Sequence, residues 1–159
     1  MIRVGRIKDT GDVKNVRFEG FTPIVVMTAS SAYAELSPYL LKTKEGVILE
    51  NLWQFSKVYP TVPKVEQTYS RWDKTVIWSH PREVHAKEIG DGAWEIQEAY
   101  WEWREKGMRC KYPVRYPVGY SGQARASCLF SLENKEGEPL DYVEARKKIY
   151  LKNYIKLVR

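Results

Sequence analysis

The chain has 159 residues and a mass of 18.6 kDa, the size of one domain that can bury a substantial core. It is 43% hydrophobic and 29% charged, and no apolar run approaches the roughly 18 residues of a membrane-spanning helix. We therefore expect no membrane partner. The formal net charge of +6 favours partners that carry phosphate, whether a nucleotide, a cofactor or a nucleic acid.

The amino-terminal residues are charged and lead into no apolar signal segment, so we expect a cytoplasmic protein. Cys110 and Cys128 lack the spacing of metal ligands, and in a reducing compartment we expect both to be free thiols. The compact size and basic composition would suit a phage or other viral protein that acts in the host cytoplasm.

Strand and turn signals come first along the chain. The apolar run at 24–27 predicts a buried strand, and the polar residues between Leu41 and Val47 predict a short hairpin. A helix that contains Glu50 is expected next. Pro60 would end this helix, because proline disfavours helical backbone at the residue before it.

The middle of the chain predicts a strand at 75–78 and then a helix from Asp91, as its N-cap, to Gly107 just past its end. The core-facing residues of this helix are apolar at helical spacing: Ile96, Ala99, Tyr100 and Trp103. Trp94 and Trp101 fall among carboxylates on the opposite side. This pattern predicts either a second packing surface or a platform for a ligand.

The carboxyl-terminal part combines a strand, predicted at 128–132, with a basic helix. Asp141 and Glu144 predict the helix start, because a side-chain oxygen at the first position can cap the backbone N–H three residues later. From Asp141 onwards the chain carries six Lys and Arg residues against two carboxylates. Such a segment is usually a solvated helix face, although contact with nucleic acid would use the same charges.

The fold class follows from the order of these signals. Strand and helix patterns intermingle without the regular spacing of strand–helix–strand units. No low-complexity segment or proline-rich linker divides the chain. We therefore predict one α+β domain over residues 1–159, with a small mixed sheet and several packed helices.

Glu50, Gln54 and Lys57 place a carboxylate, an amide and an ammonium on one face of the first helix. The same helix can bury Leu49 and Trp53 on a neighbouring face. A carboxylate at a helix start suits glycosidic cleavage, whose transition state resembles an oxocarbenium ion. Gln54 could then bond a base or ribose hydroxyl, and Lys57 a phosphate. The alternative is a surface helix whose side chains stabilise one another.

Two arginines lie beside aromatic residues in the sequence, Arg104 close to Trp101 and Arg115 next to Tyr116. A guanidinium beside aromatic rings can hold a phosphate while the rings stack on a base. Trp101, Arg104 and Arg115 are therefore candidate substrate-binding residues. The alternative for either arginine is a buried ion pair with a neighbouring glutamate.

His80 and His85 are five residues apart around Pro81, which is not the spacing of a helical zinc pair. Each could act as a general acid or base, but no nucleophile motif accompanies them. We assign the two histidines no role, and we predict neither a metal nor a cofactor.

A motif of several parts lies between Tyr33 and Lys57. It consists of a Ser-Pro loop, a glycine, and then Glu, Gln and Lys at helical offsets: Ser37-Pro38, Gly46, Glu50, Gln54 and Lys57. In these residues the chain resembles the NADAR superfamily, whose members act on NAD- or ADP-ribose-related molecules. Asn51 stands where the family has His, and the interval from Gly46 to Glu50 is shorter. The family's Asp-x-x-Trp-Gly motif is missing near the carboxyl end.

The resemblance implies an N-glycosidase in which Glu50 is catalytic and in which Gln54 and Lys57 line the pocket. Ser37 and Asn51 would be further substrate-binding residues. The first functional hypothesis is therefore an N-glycoside hydrolase for an ADP-ribosyl, NAD-related or other nucleotide substrate, free or within a modified nucleic acid.

The second hypothesis is a non-catalytic module whose aromatic residues and basic tail bind nucleic acid or a host protein. Salt separates the two hypotheses. Binding through many phosphates weakens steeply as salt is added, whereas a ligand in a buried pocket responds little.

Overall fold

In this computed structural model the described residues are 19–20, 32–61, 83–114 and 127–159. They contain both helices and antiparallel strand pairs, which confirms the α+β class. The elements in chain order are a 3₁₀ turn (Ala34–Leu36), α1 (Leu49–Gln54), β1 (Lys57–Val58), β2 (Ala86–Gly90), β3 (Ala93–Ile96), α2 (Glu98–Met108), β4 (Phe130–Ser131), α3 (Tyr142–Ala145), a π-helical segment (Arg146–Leu151) and α4 (Lys152–Leu157). The strands predicted at 24–27 and 75–78 lie outside the described residues.

The strands of the described ranges form two separate antiparallel pairs instead of the mixed sheet expected from the sequence. β1 pairs with β4, with Lys57 opposite Ser131 and Val58 opposite Phe130. β2 pairs with β3. β1 and β4 are two residues long and come from distant parts of the chain, whereas β2 and β3 are neighbours in sequence that are joined by a tight turn.

The turn between β2 and β3 corrects the predicted start of α2. Asp91 and Gly92 have φ angles of 50° and 73°, the left-handed backbone that a two-residue hairpin turn requires and that Asp-Gly favours. Asp91 is therefore a turn residue and not a helix N-cap. Trp94 lies in β3, and the helix begins only at Glu98.

The main core lies where α2 packs against the segment that follows α1. Tyr100 and Trp103 are 0% and 2% exposed, which confirms them as core-facing residues of α2. The ring of Trp103 meets the ring of Phe55 edge-on, with centroids 4.7 Å apart. The hydroxyl of Tyr100 donates to the backbone oxygen of Ser56 at 3.1 Å, so the polar end of this buried ring is satisfied.

A second cluster joins the carboxyl-terminal helix to α1. It contains Trp53, Leu140, Ala145 and Ile149. The carboxylate of Asp141 accepts a hydrogen bond from the N–H of Glu144 at 2.9 Å, which confirms the predicted cap. Helical backbone then continues through α3, the π-helical segment and α4, which confirms the helical tail. The sequence pattern does not indicate the π-helical segment.

α1 is shorter than predicted, because its backbone turns into β1 well before Pro60. The helix ends at Gln54, and Lys57 is the first residue of β1. The hydroxyl of Ser56 donates to the backbone oxygen of Trp53 at 2.8 Å and closes this turn. The chain then enters the pairing with β4.

Candidate active site

The start of α1 is held by the loop before it. The N–H of Leu49 donates to the oxygen of Leu41 at 2.9 Å, and the N–H of Glu50 donates to the oxygen of Pro38 at 3.0 Å. Leu49 and Trp53 are 0% and 4% exposed and fix the helix on its apolar side. Glu50 therefore has a well-defined backbone position on the neighbouring face.

Glu50, Gln54 and Lys57 form one chain of hydrogen bonds. The amide nitrogen of Gln54 donates to the carboxylate of Glu50 at 2.6 Å, and the ammonium of Lys57 donates to the amide oxygen of Gln54 at 2.6 Å. Glu50 and Gln54 are only 8% and 4% exposed. Although Lys57 lies in β1 and not on the helix, the sharp turn after Gln54 brings its side chain back to the other two.

The rings of Trp53 and Tyr150 form an aromatic wall beside these three hydrogen-bonded side chains. The rings of Trp53 and Tyr150 meet edge-on with centroids 5.8 Å apart. Burial, together with the nearby charge of Glu50, raises the pKa of Tyr150 to about 12, and the charge of Arg146 opposes part of this shift. Tyr150 therefore keeps its proton at neutral pH and can donate a hydrogen bond.

Two cations lie over the rings of this wall. The nitrogen of Lys57 is 5.0 Å from the centre of the Trp53 ring, and the guanidinium carbon of Arg146 is 5.2 Å from it. Arg146 and Tyr150 are not among the site residues predicted from the sequence, because the basic residues of such a tail usually form a solvated face. Their helical spacing of four was the available signal.

Ser37 and Asn51 hold backbone in place at this site. The hydroxyl of Ser37 accepts a bond from the N–H of Tyr39 at 3.3 Å. The amide of Asn51 donates to the oxygens of Cys110 and Tyr112, at 3.3 and 3.1 Å, and accepts from the N–H of Val114 at 2.7 Å. Both amide hydrogens of Asn51 are thus committed to the 110–114 loop, which gives this residue a structural task in place of the predicted contact with substrate.

Trp101 and Arg104 come together, but in a different part of the molecule. They line a cavity of about 450 Å³ between α2 and the turn at 133–135, and Glu50, Gln54 and Lys57 are not among its lining residues. Arg104 is 9% exposed and donates to the oxygens of Leu132 and Glu133 and to the hydroxyl of Tyr100. Its guanidinium therefore binds backbone carbonyls, and no ion pair of Arg104 is found among the described residues. The predicted phosphate contact stays a prediction.

The remaining candidates are Arg115 and the two histidines. Arg115 and His80 lie outside the described residues. His85 is fully buried, and its Nε2 lies 3.7 Å from a carboxylate oxygen of Glu83. Within the described part of the chain, neither nitrogen of His85 has a hydrogen-bond partner, nor does the indole nitrogen of Trp103. Burial lowers the pKa of His85, and Glu83 partly opposes this shift.

No family model, curated protein or solved structure matches this chain. Among the described residues, no three His, Cys, Asp or Glu side chains gather as a metal site would require. None of the helices in this described part of the chain is long and apolar enough to cross a membrane.

Proposed function

We propose that this protein is an N-glycoside hydrolase acting on an ADP-ribosyl, NAD-related or other nucleotide substrate, with Glu50 as the catalytic carboxylate. The observation that carries the proposal is the burial of Glu50 together with its 2.6 Å hydrogen bond from Gln54. A buried carboxylate is costly unless it is hydrogen-bonded. One that is fixed in place beside an aromatic wall is suited to stabilise a positive charge that develops close to it.

In the proposed reaction the bond between the anomeric carbon of the ribosyl group and the nitrogen of the base breaks. The electron pair leaves with the base, and the oxygen of water forms the new bond to the anomeric carbon. The proton that this water loses is balanced by the proton that the departing base takes up, or goes to solvent when the base is the nicotinamide of NAD, which leaves as a neutral molecule. The carboxylate of Glu50 stabilises the oxocarbenium-like transition state between these events. No metal or cofactor takes part.

Gln54 orients Glu50, and Lys57 orients Gln54. The amide of Gln54 donates one N–H to the carboxylate and accepts from Lys57, which leaves its second N–H for a ribose hydroxyl. Trp101 and Arg104 have no part in this mechanism, because they line a separate cavity. Ser37 and Asn51 support the backbone around the site.

The test is base release by the wild type and by Glu50→Gln, measured by chromatography with NAD, ADP-ribose and nucleotides as substrates. Glu50→Gln keeps the shape of the side chain and removes its charge, so kcat should fall by about 100-fold or more while the ligand still binds. Glu35→Gln is the matched control, because Glu35 is an exposed carboxylate on the 3₁₀ turn. Release by Glu50→Gln at the wild-type rate, or no release from any substrate by the wild type, would contradict the proposal.

A second candidate function, nucleic-acid binding, is favoured by the exposed basic residues of the carboxyl-terminal segment: Lys147, Lys148, Lys152, Lys156 and Arg159. Three of these are already paired, Lys147 and Lys148 with Glu144 and Lys152 with Glu133. A titration of a short oligonucleotide at several salt concentrations measures this function. Affinity that falls steeply with salt would favour it over the small-ligand pocket.

A further inference from the structure

Arg146 is held in one orientation by aromatic rings. Its guanidinium carbon is 4.0 Å from the centre of the Tyr150 ring and 5.2 Å from that of Trp53. The side chain is half-buried, and it begins the π-helical segment. Cation–π contacts of this kind contribute roughly 0.5 to 2 kcal/mol each. They leave the edge of the planar guanidinium, where its N–H groups point, available to another partner.

The polar groups of Arg146 have no such partner among the described residues. The hydrogen bonds and ion pairs found there include none in which the guanidinium of Arg146 donates to a carboxylate, a carbonyl or a hydroxyl. Arg104, by contrast, donates to the oxygens of Leu132 and Glu133. Lys147, the next residue after Arg146, is paired with Glu144 at 3.0 Å. The two aromatic rings thus fix Arg146 through the faces of its guanidinium, and within residues 19–20, 32–61, 83–114 and 127–159 its N–H donors have no hydrogen-bond acceptor.

Tyr150 connects this arginine to the candidate catalytic carboxylate. Arg146 lies over the ring of Tyr150, and the charges of Glu50 and Arg146 act on the Tyr150 hydroxyl with opposite signs. Lys57, which is bonded to Gln54, lies over the neighbouring Trp53 ring. The aromatic wall therefore has the carboxylate of Glu50 at one place along it and the guanidinium of Arg146 at another, and no side chain or carbonyl of the described residues accepts from that guanidinium.

We propose that Arg146 binds the phosphate of the substrate, so that the site selects a phosphorylated riboside over the free nucleoside. This inference rests on the proposed function and assigns to Arg146 the phosphate contact that the sequence predicts for Lys57, Arg104 and Arg115. The planar guanidinium matches two phosphate oxygens in a bidentate contact. Because the two rings already restrict Arg146, little conformational freedom is lost when the phosphate binds.

The test compares the affinities of wild type and variants for ribose 5-phosphate and for ribose by titration calorimetry. Neither probe has a base to release, so binding is measured without turnover. Arg146→Gln should weaken the binding of ribose 5-phosphate by about 10- to 100-fold, as expected for a charged hydrogen-bonded contact, and should leave ribose unchanged. Lys147→Gln is the matched control, because it makes the same change of charge at the next residue. Its affinity for ribose 5-phosphate should stay within about threefold of that of the wild type.

Arg146→Lys keeps the charge but loses the bidentate contact, and it carries the test if Arg146→Gln does not fold. This variant should bind ribose 5-phosphate at least severalfold more weakly than the wild type does, and its affinity for ribose should be unchanged. Equal affinity of the wild type for the two probes, equal losses in Arg146→Gln and Lys147→Gln, or binding of oligonucleotides alone would overturn the proposal.

The result is separable from that of the Glu50 experiment. If the protein releases no base but still binds ribose 5-phosphate more tightly than ribose, and if this preference depends on Arg146, the proposed role of Arg146 stands and the proposed hydrolase activity is contradicted. Base release that depends on Glu50 without selection for phosphate would remove only the role of Arg146.

Discussion

The ring of Phe55 occupies the space that a side chain at position 107 would need. A Cβ built on Gly107 would lie 2.1 Å from Cε1 of Phe55, far inside van der Waals contact. The sequence predicts Gly107 just past the end of α2. In the structure Gly107 belongs to the last turn of this helix. The glycine is therefore required because it lets α2 approach the segment after α1.

Gly107→Ala should destabilise the fold, although alanine is the better helix former by about 1 kcal/mol. Overpacking a core side chain costs about 1 to 3 kcal/mol or more, and we expect a net loss of about 1 to 2 kcal/mol in the free energy of unfolding, measured with urea. Lys106→Ala is the control for helix propensity at an exposed neighbour. The loss should shrink in a Phe55→Leu background, and an equal loss in both backgrounds would show that Phe55 is not the cause.

Asn51→Asp should destabilise the protein by about 2 to 4 kcal/mol, because a buried carboxylate would face the backbone oxygens of Cys110 and Tyr112 without a hydrogen to donate. The measurement is urea unfolding at pH 7. Asn134→Asp is the matched control, since Asn134 is exposed and its side-chain oxygen accepts from the N–H of Glu136, a contact that a carboxylate can also make. A similar small loss in both variants would contradict the anchoring role of Asn51.

Local signals in the sequence predicted part of this structure. The cap at Asp141 depends on residues three apart, and the buried positions of Tyr100 and Trp103 follow from the apolar spacing of one helix. The predicted N-cap at Asp91 is wrong, because Asp-Gly is itself a strong hairpin signal and outweighs the helical pattern that follows it.

The candidate site was harder to predict, because its members meet only in the folded chain. The spacing of Glu50 and Gln54 indicated their contact, but Lys57 reaches them through a turn that the helical pattern does not contain. Arg146 and Tyr150 lie far from Trp53 in sequence. Their contacts depend on how the carboxyl-terminal helix packs against α1, and local patterns carry no information on that.

Arg104→Met should reduce stability and not ligand affinity. The variant keeps the length of the side chain but leaves the oxygens of Leu132 and Glu133 without their donor, so we expect a loss of about 2 to 4 kcal/mol in urea unfolding. Arg109→Met, at an exposed arginine paired with Glu105, should change stability by about 0.5 kcal/mol or less. If Arg104→Met folds but binds ribose 5-phosphate much more weakly than the wild type does, Arg104 contributes to ligand binding and this prediction is wrong.

His85 should make the stability depend on pH in mildly acidic solution. Burial lowers the pKa of His85 in the folded state, whereas in the unfolded chain it titrates near the ordinary value of about 6.5. The unfolded chain therefore takes up the proton first, and the stability that is present above about pH 6.5 falls as the pH decreases below it, by at most about 1.4 kcal/mol per pH unit.

The measurement for His85 is the free energy of unfolding between pH 5 and pH 8, in the wild type and in His85→Leu. Leucine does not titrate, so the difference between the two profiles should change below about pH 6.5 and stay constant above it. In Glu83→Gln the carboxylate that opposes the shift is gone. The pKa of His85 should then fall further, and the loss of stability should extend to lower pH. Parallel profiles for the wild type and His85→Leu would show that the imidazole has the same pKa in the folded and unfolded states.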